Sequence, residues 1–102
     1  MTESATRLSE RIYVRIPGVI VVNANGGVTS YRASTVNLSA LGARVQTEIA
    51  LRPGARVSFI WQGPKPQAFP SQVVWSAPNQ EKQGHEAGLR FLQPLAVGAE
   101  TT

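Results

Sequence analysis

Five residues in the first half of the chain carry the types and spacing most able to do chemistry: Arg11, Arg15, Asn37, Ser39 and Gly42. Arg11 and Arg15 bracket Ile12-Tyr13-Val14 and supply two planar guanidinium forks, a shape that suits phosphate oxygens and guanine edges. In extended backbone the two lie on one face, roughly 13 Å apart, a reach that matches opposite sides of a dinucleotide-sized anion. Asn37 adds an amide carbonyl and an NH2 group, and Ser39 a hydroxyl. On a strand these two point the same way while Leu38 points oppositely, toward a core. Such a pair reads a guanine edge or holds a phosphate. A polar turn between strands favours the same residue types for local reasons. Gly42 permits a positive φ or a close approach of another backbone or a ligand. Together these groups offer binding chemistry for an anionic, hydrogen-bonding ligand.

The same sequence offers little for catalysis, and the expectation is that the protein is not an enzyme. Cysteine is absent among the 102 residues, which removes thiolate nucleophiles, disulfides and sulfur-ligated metals. The carboxylates are six glutamates with no spacing that suggests an acid/base pair. His85 is the single histidine and has no visible co-ligands, so neither a metal nor a cofactor is expected. No phosphate loop, nucleophile elbow or dinucleotide fingerprint is present. The net charge is +4, and eight of the ten basic residues are arginine. That balance favours anionic partners without naming one.

The elements that must position these groups are strands. Residues 16–22 are rich in β-branched side chains, 23–27 form a strong turn signal, and 28–36 fit a second strand, giving a hairpin with a five-residue connection. Residues 44–51 alternate, with Val45, Thr47, Ile49 and Leu51 facing one way. Pro53-Gly54 marks a turn, and Val57, Phe59 and Trp61 then share a face. Residues 68–76 and 85–92 supply two further strands, separated by a polar loop. Ile12, Tyr13 and Val14 favour extended structure, and Pro17 discourages helix at Ile16, so the arginine pair is placed on extended chain. Six short strands with turn punctuation and no long amphipathic helix predict an antiparallel sandwich or barrel. One domain is expected, with residues 1–10 as a flexible arm, 11–95 as the barrel domain and 96–102 as a tail. No signal peptide or membrane-length apolar run is visible, so a cytoplasmic protein without membrane insertion is expected.

An Arg-x-x-x-Arg spacing occurs three times here: Arg7 with Arg11, Arg11 with Arg15, and Arg52 with Arg56. The last pair flanks a Pro-Gly turn and reads as solvated. Arg11 and Arg15 are followed directly by Ile16-Pro17, then by the single Asn37-x-Ser39-x-x-Gly42, a Pro53-Gly54 turn before a hydrophobic strand, and Gly88-Leu89-Arg90-Phe91 near the end. In this order, over roughly residues 7–95, these segments resemble the PilZ domain family. Ile16-Pro17 sets the register, making Arg11 and Arg15 the motif pair.

The resemblance implies an all-β fold, a six-stranded antiparallel β-barrel of the PilZ type. It also implies binding of cyclic diguanylate, a bacterial second messenger. Arg11 and Arg15 would contact phosphates and guanine faces or edges, Asn37 and Ser39 would hydrogen-bond a guanine, and Gly42 would shape the turn. Asparagine at 37 stays within the family's aspartate-or-asparagine pattern but presents a neutral acceptor, and Glu10 puts a carboxylate beside the first motif arginine. Trp75 reads first as a packing residue of the core or barrel wall and, on an outward face, as a stacking surface. Arg90 alternates with Leu89 and Phe91, faces outward and is a candidate additional contact. With essentially nothing outside the barrel, such a receptor would act through an unidentified partner protein, the arm ordering on the ligand as the switch. Two alternatives stand beside this reading: a basic small barrel that binds nucleic acid, which the few, mostly apolar-positioned aromatics disfavour, and a PilZ-like adaptor that contacts partners without a ligand.

Overall fold

The computed structural model describes residues 11–24, 26–62, 64–79, 81 and 83–93. The expected flexible arm at 1–10, Arg7 and Glu10 with it, and the tail at 96–102 lie outside them. Six strands form: β1 (Pro17–Ala24), β2 (Gly27–Leu38), β3 (Gly42–Thr47), β4 (Arg56–Trp61), β5 (Gln67–Pro78) and β6 (His85–Phe91). All neighbours are antiparallel, and the order β1-β2-β3-β6-β5-β4 closes on itself as a barrel. Closure leaves no strand edge of the six unpaired, which suits a sheet this small. Among the described residues no helix is long and apolar enough to cross a membrane.

The inward positions are those that alternation marks. Ile20, Val45, Phe59 and Val73 are fully buried, joined by Val57, Ala87, Leu89 and Phe91. Phe69 lies between Trp61 and Phe91, with ring centroids 5.6 and 5.4 Å away. Because β3 and β4 are not neighbours, the segment between them crosses one end of the barrel. Leu51, in that segment, is buried, and its N–H donates to Ser76 Oγ at 3.2 Å.

Two of the differences from the expected boundaries have a visible local cause. The β1–β2 ladder continues to Ala24 opposite Gly27, so the predicted five-residue connection closes to two residues. Gly26, at φ +77°, supplies the left-handed conformation that such a tight hairpin requires. The strand expected over 44–51 instead runs over Gly42–Thr47. The Thr47 hydroxyl accepts the N–H of Ile49 at 3.4 Å, and this local bond turns the chain away from the ladder. Ile49 and Leu51 still pack on the core, from the crossing segment.

Residues 11–16, the arginine arm (distinct from 1–10), lead into β1 beside the far half of β2. Ile12 and Leu38 exchange backbone hydrogen bonds at 2.8 and 2.9 Å, and Thr35 donates its N–H to Ile16 O at 3.0 Å. The Thr35 hydroxyl completes the attachment by accepting the Ile16 N–H at 2.7 Å and donating to the Val14 carbonyl. Thr35 is fully buried, so this hydroxyl has no water to fall back on.

A bulge follows at once. Thr35 pairs with Val45, but the next pair is Asn37 with Arg44, leaving Val36 unmatched. Thr35 therefore shares the inward face of Val45, and Asn37 shares the outward face of Arg44. A second bulge, at Val74, does the same in β5, where Val73 pairs with Leu89 and Trp75 with Gly88. One extra residue in each strand thus throws Asn37 and Trp75 onto the outside of the barrel.

Replacing Thr35 with valine keeps the shape and removes the hydroxyl that holds two backbone groups of the arm. The expected cost is about 1–3 kcal/mol of stability in urea denaturation. A midpoint unchanged from the parent would show that the hydroxyl holds nothing.

Candidate functional site

The two outward bulges and the β2–β3 turn frame an open depression of about 350 Å³ on the barrel wall. Arg11, Asn37, Ser39 and Gly42 line one side of it, and Trp75 and Arg90 the other. Its size is within the range of small-molecule sites.

Asn37 is only 5% exposed although it faces outward, because Arg11 covers it. Arg11 Nη1 donates to Asn37 Oδ1 at 2.7 Å. Ser39 is equally buried and organises the turn into β3. Its hydroxyl accepts the Leu41 N–H at 3.2 Å, while its own N–H donates to Gly42 O at 2.8 Å. Of the roles open to Gly42, the structure displays close approach to another backbone: Gly42 opens β3 opposite Arg90, and a Cβ there would lie 2.1 Å from the Leu89 carbonyl oxygen. Its own carbonyl also closes the turn by accepting the Ser39 N–H.

Trp75 faces outward, not into the core, and is 39% exposed. Its indole lies across Gly88, where a Cβ would stand 2.2 Å from Trp75 Nε1. A glycine in a strand interior often marks such close contact. Here it seats an aromatic plane against the barrel wall. Arg90 also faces outward, and its Nη2 donates to Gln72 Oε1 at 2.5 Å.

Arg15 is the one expected member that the depression does not include. Its Nη1 donates to Ser34 Oγ at 3.2 Å and to Gln46 Oε1 at 3.3 Å, over the neighbouring stretch of β2 and β3. Among the described residues the exposed guanidinium is held by neutral acceptors alone, so a charged acceptor competes for it at modest cost.

Three contributors escaped the sequence reading. Thr35 fixes the arm that carries both arginines. Gly88 figured only as part of a closing motif, although its place inside a strand signals a packed neighbour. Arg44 alternates with buried Ala43 and Val45, which marks it as outward, yet nothing in the sequence says that it meets Trp75 across two strand boundaries. Its Cζ lies 5.9 Å from the Trp75 ring centroid.

Gly88→Ala removes the seat of the indole. In a Trp61→Phe background, where Trp75 is the only emitter, it is expected to red-shift tryptophan fluorescence and to cost about 1–3 kcal/mol of stability through overpacking. An unchanged emission maximum would mean that the indole does not rest on Gly88.

The family model for the PilZ domain matches residues 5–102, nearly the whole chain. No curated protein gives a significant match.

Proposed function

The chain belongs to the PilZ domain family, and from that premise we propose that it is a non-catalytic receptor for cyclic diguanylate that signals through a partner protein. The observation that carries the reading is the meeting of Arg11, Asn37, Ser39 and Gly42 with an outward tryptophan in one depression. A guanine nucleotide needs both a phosphate contact and a surface for its base, and this depression offers both.

In the proposed complex a phosphate draws Arg11 from Asn37 and Arg15 from Ser34 and Gln46. Asn37 is thereby released to hydrogen-bond a guanine, with Ser39 beside it. The indole of Trp75 gives a base a face on which to stack, and Arg90 exchanges Gln72 for a ligand oxygen. Gly42 keeps the floor free of a side chain.

The energetics favour this exchange. Charge-assisted hydrogen bonds contribute about 1.5–3 kcal/mol each. Fixing a free five-residue segment costs backbone entropy of about 1–2 kcal/mol per residue, which two arginine contacts barely offset. The bonds to Leu38 and Thr35 already hold residues 12–16. What remains to order is chiefly the two arginine side chains, at about 0.5–1.5 kcal/mol each. The switch read by a partner then lies in the side chains of residues 11–16. Ile12 and Tyr13, 63% and 79% exposed, are the surface such a partner would contact.

Aromatic placement disfavours the nucleic-acid alternative. Phe59 and Phe91 are buried and Trp61, Phe69 and Tyr31 partly so, which leaves Tyr13 and Trp75 as the large exposed rings among the described residues. A single-strand groove stacks successive bases on a series of such rings.

A thermal-shift series tests the reading. Cyclic diguanylate is expected to raise the melting temperature, while linear diguanylate and a short oligonucleotide leave it in place. No shift with the cyclic ligand would favour an adaptor that binds partners alone. By calorimetry, Arg11→Ala and Arg15→Ala are each expected to weaken cyclic diguanylate binding by about 2–4 kcal/mol, roughly 30- to 1000-fold. Unchanged affinity would remove that arginine from the site.

A further inference from the structure

Among the described residues three arginines line the depression, and Arg44 is the one that neither the motif pair nor the closing strand accounts for. It stands in an outward row that crosses four strands, with Asn37 on one side and Gly88, then Trp75, on the other. Its guanidinium is committed to one carboxylate oxygen. Nε and Nη2 donate to Glu86 Oε1 at 3.1 and 2.5 Å. Nη1 has no protein partner among the described residues.

Glu86 is the only acidic side chain in contact with the cavity's arginines among those residues. The Arg44 side chain is 45% exposed and that of Glu86 17%. With the guanidinium nearly half open to water the attraction is screened, although the carboxylate is largely covered, and the pair's hold is about five-fold in an equilibrium constant. A phosphate oxygen in the same position makes a charge-assisted hydrogen bond of comparable geometry, and Nη1 offers it a further donor. Trp75, 5.9 Å from the guanidinium carbon, sets an aromatic face directly beside Arg44.

We propose that Arg44 is a third anion-binding arginine of this site, stored on Glu86, and that a phosphodiester oxygen of the bound nucleotide takes the place of Glu86 on its guanidinium. The inference rests on the nucleotide-receptor reading and deepens it. Arg44 supplies the contact, and Glu86 sets the affinity by competing for it. A ligand that stacks on Trp75 has the extra attraction needed to win that competition, whereas a bare anion does not.

Calorimetry with cyclic diguanylate on the full chain and four variants decides it. Glu86→Gln keeps the shape, removes the competing charge and is expected to tighten binding about two- to five-fold. Arg44→Gln is expected to weaken it about ten-fold or more. With Arg44→Gln already present, Glu86→Gln is expected to change nothing further, since its effect runs through Arg44. Glu81→Gln, which removes the same charge at an exposed position, is expected to leave affinity unchanged. Binding by the parent chain with equal affinity in Glu86→Gln and Arg44→Gln overturns this inference alone. So does a gain from Glu86→Gln that persists without Arg44 or that Glu81→Gln reproduces, because bulk charge then explains it. No binding by the parent or by Glu86→Gln overturns both this inference and the reading beneath it.

Discussion

Thr35 and Asn37 stand two residues apart in one strand, where alternation would place them on the same face, yet one is sealed in the barrel and the other faces outward. The bulge at Val36 makes that reversal, and the rest of the site depends on it. With strict alternation, either the Thr35 hydroxyl would leave the arm or the Asn37 amide would enter the core without a partner, a costly place for a polar group. The extra residue lets one strand meet both demands. Thr35 grips the arm from inside, and Asn37 meets Arg11 outside. A second bulge, at Val74, brings Trp75 to the opposite rim by the same device.

Between these rims the floor is backbone. Gly42 lets β3 approach the Leu89 carbonyl, and Gly88 lets the indole lie against β6. Neither glycine adopts a positive φ; both are there because a side chain would occupy space already taken. The polar groups above that floor are held by weak, exchangeable partners: an asparagine for Arg11, a serine and a glutamine for Arg15, a glutamine for Arg90 and one carboxylate for Arg44. A binding surface built in this way exchanges protein acceptors for ligand acceptors while its backbone stays in place.

Much of this was legible in the sequence. The apolar alternation at Val57, Phe59 and Trp61, or at Val45 and Thr47, marks the inward face, and the turn residues separate six strands. The order of Arg11, Asn37, Ser39 and Gly42 was enough to suggest one site, and the structure brings these four side by side. Bulges were not legible, because a single inserted residue leaves no signature among β-branched neighbours such as Thr35-Val36 or Val73-Val74. For that reason the direction of Trp75 stayed open between the core, the barrel wall and an outward stacking face. Arg15 was grouped with Arg11 by spacing along the arm, whereas the neutral acceptors under each one decide where its guanidinium rests. The contacts of Arg44 with Glu86 and Trp75 join residues 42 and 31 positions apart, and only strand pairing brings them together.

Amide chemical-shift mapping with cyclic diguanylate tests the central claim, that the outer wall between the two bulges binds the nucleotide, most directly. The predicted result is a set of saturable shifts at Asn37, Ser39, Gly42, Arg44, Gly88 and Arg90 and at the Trp75 indole N–H, with Val19, Ile20 and Ser58 on the β1–β4 side of the barrel unmoved. Shifts centred on that β1–β4 side, or none at saturating ligand, would contradict it.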